Sequence, residues 1–114
     1  MTPQALEDAA LALPGVTLDI LWGDDRVYKV GGRMFAATNG QSTNLSLKAT
    51  DIAFEALTET GRARPAPYMA RAQWIRFDDV AVLDEVEVRD WLATAHRLIA
   101  AKLSGKARRE LGMA

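Results

Sequence analysis

The chain has 114 residues, 49% of them hydrophobic and 25% charged, which is the size and make-up of one ordinary globular domain. It has no cysteine and one histidine, His96, so disulfides, thiol catalysis and thiolate metal sites are excluded, and a zinc site built on ring nitrogens is not expected. A formal net charge of -1 argues against a generically basic nucleic-acid binder.

The first residues show neither a basic segment nor an apolar run of signal-peptide type. No stretch reaches the ~18 apolar residues of a membrane span. A cytoplasmic protein of one domain, residues 1–114, is expected.

Thr2 and Pro3 read as the cap and first residue of a helix. Ala5, Leu6, Ala9, Ala10 and Leu13 follow at helical spacing, and Pro14-Gly15 stops it. Thr17 to Trp22 alternates as a strand, with Leu18, Ile20 and Trp22 on one side. Gly23-Asp24-Asp25 turns the chain into a second strand, Arg26 to Val30. Gly31-Gly32 supplies the positive φ angles of a tight hairpin, and Arg33 to Thr38 returns as the third strand. Asn39 to Ser42 is a further turn, and Thr43 to Lys48 the fourth strand.

Thr50 caps a second helix from Asp51 to about Thr60, ended by Gly61. Residues 61–71 read as a loop held by Pro65 and Pro67, and Gln73 to Phe77 as the fifth strand. The last helix carries the best local signals. Asp84 is its cap, Glu87 completes a carboxylate capping box, and Leu83 and Val88 form a hydrophobic staple. Val88, Leu92, Ala95, Ile99 and Leu103 make its stripe. Gly105 should end it, and Lys106 to Leu111 adds a short turn.

The order α-β-β-β-β-α-β-α implies an α+β, two-layer sandwich: an antiparallel sheet of about five strands with helices on one face. A two-residue turn at Gly31-Gly32 pairs Val30 with Arg33, Lys29 with Met34, Tyr28 with Phe35, and Val27 with Ala36, and paired residues share a face. A mid-strand lysine belongs outside. Tyr28, Val30 and Phe35 therefore point inward with Leu18, Ile20, Leu45, Leu47, Ile75 and Phe77. The open face carries Asp19, Lys29, Met34, Ser46, Lys48, Trp74 and Arg76.

Charge also segregates along the chain. Residues 1–25 hold five acids and no base, residues 26–48 four bases and no acid, and residues 61–76 four arginines and no acid. Residues 78–90 hold six acids against Arg89, and the last turns return to Arg97, Lys102, Lys106, Arg108 and Arg109.

The hairpin string from Val27 to Ala36, the run Leu45-Ser46-Leu47-Lys48 and the segment from Pro65 through Pro67-Tyr68-Met69 to Trp74-Ile75 form a combination that resembles the MmcQ/YjbR family. Its members are small single-domain proteins usually labelled DNA-binding, from a paired-wing reading of their fold. The resemblance runs from about Pro14 to about Leu111. It implies a frataxin-like (CyaY-like) fold, in agreement with the element order. Family members often carry a Ser-Tyr pair where this chain has His96-Arg97. The acidic ridge of frataxins has only Glu7 and Asp8 as counterparts on the first helix, so no metal site is carried over.

No enzyme signature is present. Gly31-Gly32 sits between strands and lacks the spacing of a phosphate-cradling loop. No Ser/His/acid constellation follows from spacing, and His96 beside an apolar stripe reads as a structural residue. The chain is expected to be non-enzymatic and without a cofactor. The leading expectation is a DNA-binding module. Arg26, Lys29, Arg33, Lys48, Arg62, Arg64, Arg71 and Arg76 would contact phosphates, and Tyr68 or Trp74 would stack on a base. The alternative is a protein- or small-ligand-interaction module using the open sheet face around Trp74.

Overall fold

A computed structural model describes residues 1–67 and 69–113. Helix α1 (Pro3–Leu11) opens with Thr2 Oγ1 accepting from Ala5 N–H at 3.1 Å. The meander β1 (Val16–Leu21), β2 (Asp25–Val30), β3 (Arg33–Thr38) and β4 (Leu45–Lys48) follows. Helix α2 (Asp51–Glu59) is capped by Thr50. Next come β5 (Arg64–Pro65), a 3-10 turn at Ala70–Ala72, β6 (Trp74–Phe77) and a second 3-10 turn at Val80–Val82. Helices α3 (Glu85–Ala100) and α4 (Gly105–Glu110) complete the chain.

The sheet is antiparallel, in the order β1-β2-β3-β4-β6-β5. It has six strands where about five were expected. The extra one, β5, lies within the segment read as a loop, where Arg64 pairs with Arg76 and Pro65 with Ile75. A proline is tolerated there because β5 is an edge strand. Helices cover one face, and the core beneath them holds Leu6, Tyr28, Val30, Phe35, Leu45, Leu47, Ile75, Phe77, Val88, Leu92 and Ile99. Full burial of side chains of this size contributes about 1.5–3 kcal/mol each.

The hairpin begins as expected, with Val30 opposite Arg33 and Lys29 opposite Met34. The next pairs are Tyr28 with Ala36 and Val27 with Ala37. Phe35 is thus the extra residue of a β-bulge, and the expected pairs Tyr28–Phe35 and Val27–Ala36 do not form. The bulge lets two successive apolar residues, Phe35 and Ala36, enter the core together, which strict alternation forbids. Ile20, expected inside, is 52% exposed. It lies opposite Arg26, which pairs with Glu7 of α1, at the margin of the helical cover.

Two features of the last helix differ from expectation. Asp84 accepts from Glu87 N–H at 3.0 Å, but the Glu87 carboxylate is held by Arg62 at 2.9 and 3.1 Å, so the capping box is not reciprocal. Gly105 does not end α3. The helix stops at Ala100, and Gly105 is the first residue of α4, capped by Ser104. Leu103 leaves the helical stripe and packs on Gly31 of the hairpin tip.

His96 is buried, with Nε2–H donating to the Pro14 carbonyl at 2.7 Å and the ring edge-on to Phe35 at 5.4 Å. It ties α3 to the start of β1 and to the bulge. Among the described residues no helix is long and apolar enough to cross a membrane.

Candidate nucleic-acid interface

The sheet has two ends. One carries the Gly31-Gly32 turn, the start of β1, the end of β4 and the start of β6. Leu103 sits on Gly31, and Leu111 sits on Gly15, so α4 lies across this hairpin end. The other end carries the β1–β2 turn, the end of β6 and the start of α3; there the N-terminal ammonium donates to the Leu83 carbonyl at 2.9 Å.

The cations expected to bind DNA divide into those with an acidic partner and those without. Arg26 is paired with Glu7. Lys29 meets Asp19 at 2.9 Å. Arg62 forms a two-pronged pair with Glu87 and lies 5.6 Å over Trp91, which stacks on Phe77. Arg64 and Arg76 share Asp78 at 3.0 and 3.1 Å. Glu87 and Asp78 push the Arg62 and Arg64 guanidinium pKa values up, and Arg64 first, then Arg76, holds the Asp78 carboxyl below its ordinary value against a small desolvation cost. Arg89, outside the expected set, pairs with Glu85 at 2.7 Å. Each of these six bases is therefore matched by a nearby acid.

The remaining three, Arg33, Lys48 and Arg71, belong to the hairpin end. Arg33 opens β3 at the turn, and Arg71 lies on the exposed 3-10 segment before β6. Neither has an ion pair among the described residues. Lys48 ends β4, and its Nζ donates to the Ala72 carbonyl. Desolvation, then repulsion from Lys102, lowers the Lys48 pKa, with Asp51 opposing. Lys102 thus brings the end of α3 into the same field.

Arg97, Lys102, Lys106, Arg108 and Arg109 join them. Arg97 and Arg108 line one shallow cleft between α3 and α4. Within this set the one ion pair among the described residues is Lys106 with Glu110, at 3.9 Å. With Lys29, which stands one residue from the turn, the hairpin end gathers nine of the chain's 14 bases, and the acids placed beside them among the described residues are Asp19, Asp51 and Glu110. A net charge of -1 thus covers an uneven distribution of unpaired positive charge. Sequence reasoning noted the basic last turns but left them out of the site, because nothing in the residue order says that α4 folds across the hairpin tip.

The open sheet face carries a second feature. Register aligns Asp19, Val27, Ala37, Ser46, Arg76 and Arg64 in one row across it, with Lys29 opposite Met34 and Lys48 opposite Trp74 in the next. Trp74, expected to stack on a base, is only 4% exposed. The Ala66 N–H donates to the Trp74 carbonyl at 2.9 Å, and Ala66, Pro67 and Met69 stand beside its indole in a groove of about 520 Å³.

Trp22 lines the same groove and is 68% exposed. Alternation predicts it on the helix side with Leu18 and Ile20. The strand instead ends at Leu21, and Trp22 takes a left-handed φ of 50°, which breaks the alternation and sends the indole to the opposite face. Tyr68, the other expected base-stacking residue, lies outside the described residues. Among the described residues no group of three or more His, Cys, Asp or Glu side chains is placed to hold a metal ion.

The YjbR family model matches residues 11–98. The chain belongs to the YjbR family. This YjbR domain is also similar to the crystal structure of protein DR2400 from Deinococcus radiodurans, a DUF419 domain. The TM-score is 0.85 at 23% identity, over 99% of this chain and 89% of that one. That likeness shows the fold, helices on an open antiparallel sheet. No functionally curated protein matches the sequence.

Proposed function

We propose that this YjbR domain binds the phosphate backbone of DNA through its hairpin end. The observation that carries this reading is the division of its cations. Arg33, Arg71 and Lys102 have no acidic partner among the described residues and gather at one end, whereas Arg26, Lys29, Arg62, Arg64, Arg76 and Arg89 are each matched by an acid. A paired guanidinium has little charge left to offer a phosphate. An unpaired one releases condensed counterions when it meets a phosphate, and that release drives binding. The local excess of unpaired positive charge steers the approach of the strand.

The reading narrows the expected contact set. Arg33, Lys48 and Arg71 remain in it, joined by Lys102, Lys106, Arg108 and Arg109. Arg26, Lys29, Arg62, Arg64 and Arg76 serve as structural ion pairs.

Fluorescence anisotropy of labelled DNA, duplex and single-stranded, across 20–200 mM salt (roughly the range over which such binding collapses) tests it. Affinity is expected to fall with salt. Arg33→Glu and Lys102→Glu should each flatten the logarithmic slope by about 1. Arg89→Glu makes the same change in net charge at the opposite end and should leave the slope alone. Equal losses in all three variants, or no binding at the lowest salt, would overturn the reading.

A further inference from the structure

We propose that the groove on the open sheet face receives an unpaired base of a DNA strand, stacked on Trp22, so that the favoured ligand is single-stranded. The inference rests on the backbone reading above and names the class of nucleic acid.

Three observations carry it. The first is the groove itself, about 520 Å³, walled by Trp74, Met34, Met69 and Pro67. That volume suits a planar apolar group of nucleobase size with room to spare. The second is Trp22. A large aromatic held at φ 50° and 68% exposed gives up both backbone ease and burial. Such outliers persist where the surroundings enforce them, and they concentrate at ligand sites. An indole in this position offers an unoccupied π-face, and a base stacks on such a face whatever its identity.

The third is charge complementarity at the rim. Lys48 lies opposite Trp74 on the same face, and Arg71 stands three residues before Trp74. The groove runs from Trp22 and Asp25 at the β1–β2 turn to Met34 and Trp74, and Lys48 and Arg71 flank it on the hairpin side. An apolar, aromatic slot flanked by cations fits a chain of stacked bases on a phosphate backbone. A neutral apolar peptide would leave Arg71 without a partner and offer Lys48 no counter-charge. Inside the slot, Ser46 Oγ and the Asp25 carboxylate have no hydrogen-bond or ion-pair partner among the described residues, so they are open to the polar edge of a base. A duplex cannot use the slot without unstacking a base first, which costs a few kcal/mol.

The test compares an oligothymidine strand with an abasic strand of equal length, each labelled, on wild type, Trp22→Ala and Trp22→Phe at low salt. Trp22 is exposed, so Trp22→Ala should fold normally, which thermal melting checks. Wild type should bind the base-bearing strand more tightly. Trp22→Ala should lose about 5- to 100-fold on that strand, should not change on the abasic strand, and Trp22→Phe should recover most of the loss.

Equal binding of both strands with no effect of Trp22→Ala overturns the base slot and leaves the backbone reading standing. Failure of both strands to bind wild type overturns the two together. A dimer in sedimentation that Trp22→Ala dissociates would assign the groove to a second copy of the chain and overturn the proposal.

Discussion

Gly31 and Leu103 are in direct contact: a Cβ placed on Gly31 would stand 2.7 Å from both Leu103 Cδ1 and Cδ2. The tip of the central hairpin and the end of α3 are thereby locked together, and α4 is carried across the basic end of the sheet. The position of Lys102 relative to Arg33 and Lys48 depends on this contact.

Gly31→Ala should cost about 1–3 kcal/mol, the left-handed strain plus the smaller cost of moving the Leu103 methyls aside. Gly32→Ala meets open space at φ 79° and should cost only the left-handed strain of about 1–2 kcal/mol. Urea unfolding of both variants checks the difference. Adding Leu103→Ala should relieve part of the Gly31→Ala loss and none of the Gly32→Ala loss, as a double-mutant cycle would read.

Asp78 joins Arg64 of β5 to Arg76 of β6. Its pKa is depressed in the folded state. The stability it contributes is therefore present above the ordinary carboxylate range and is lost as pH falls through the depressed value. Asp78→Asn should melt slightly lower than wild type at neutral pH, the effect being small because the group is exposed. The gap should close in strong acid, where Asp78 is protonated in wild type as well. Melting curves from neutral to acid pH check the sign.

Tyr28 is buried, and its hydroxyl has no hydrogen-bond partner. An unsatisfied buried hydroxyl is a standing cost, so Tyr28→Phe should leave stability unchanged or raise it by up to about 1 kcal/mol. Burial also pushes the phenol pKa up, with the nearby Arg26 guanidinium opposing from outside hydrogen-bond geometry. That contribution is complete below the ordinary phenol value and is lost as pH rises through the raised one. Tyr28→Phe should remove this part of the alkaline loss of stability, which melting above neutral pH would show.

His96 is a structural residue, buried between α3, the start of β1 and the bulge. His96→Ala removes its bond to the Pro14 carbonyl and its edge contact with Phe35. A loss of about 2–4 kcal/mol is expected, measured by chemical unfolding.

Much of the architecture is legible in the residues because local chemistry and tertiary need agree. Thr2, Thr50 and Asp84 cap the helices they were expected to cap. Lys29 places one face of the hairpin outside, and register confirms Met34 beside it. The bulge at Phe35 is not legible from the turn, since Gly31-Gly32 fixes the register only near the tip. Its one sign in the sequence is the adjacent apolar pair Phe35-Ala36, which fits no alternation.

The site was less legible than the fold. Arg62, Arg64 and Arg76 stand in an acid-free stretch, yet Glu87 and Asp78 meet them only through folding. Sequence segregation of charge is thus a poor guide to free charge. Alternation puts Trp22 on the face of Leu18 and Ile20, and its left-handed φ reverses that assignment.

The central claim is that DNA is held at the hairpin end by cations without acidic partners. Chemical-shift mapping of the labelled protein with a short DNA strand at low salt tests it most directly. The account predicts perturbations at Arg33, Lys48, Arg71 and Lys102, spreading into α4, with Arg62, Arg64 and Arg89 unmoved. Perturbations centred on Arg62, Arg64 and Arg76, or none at any ratio of strand to protein, would contradict it.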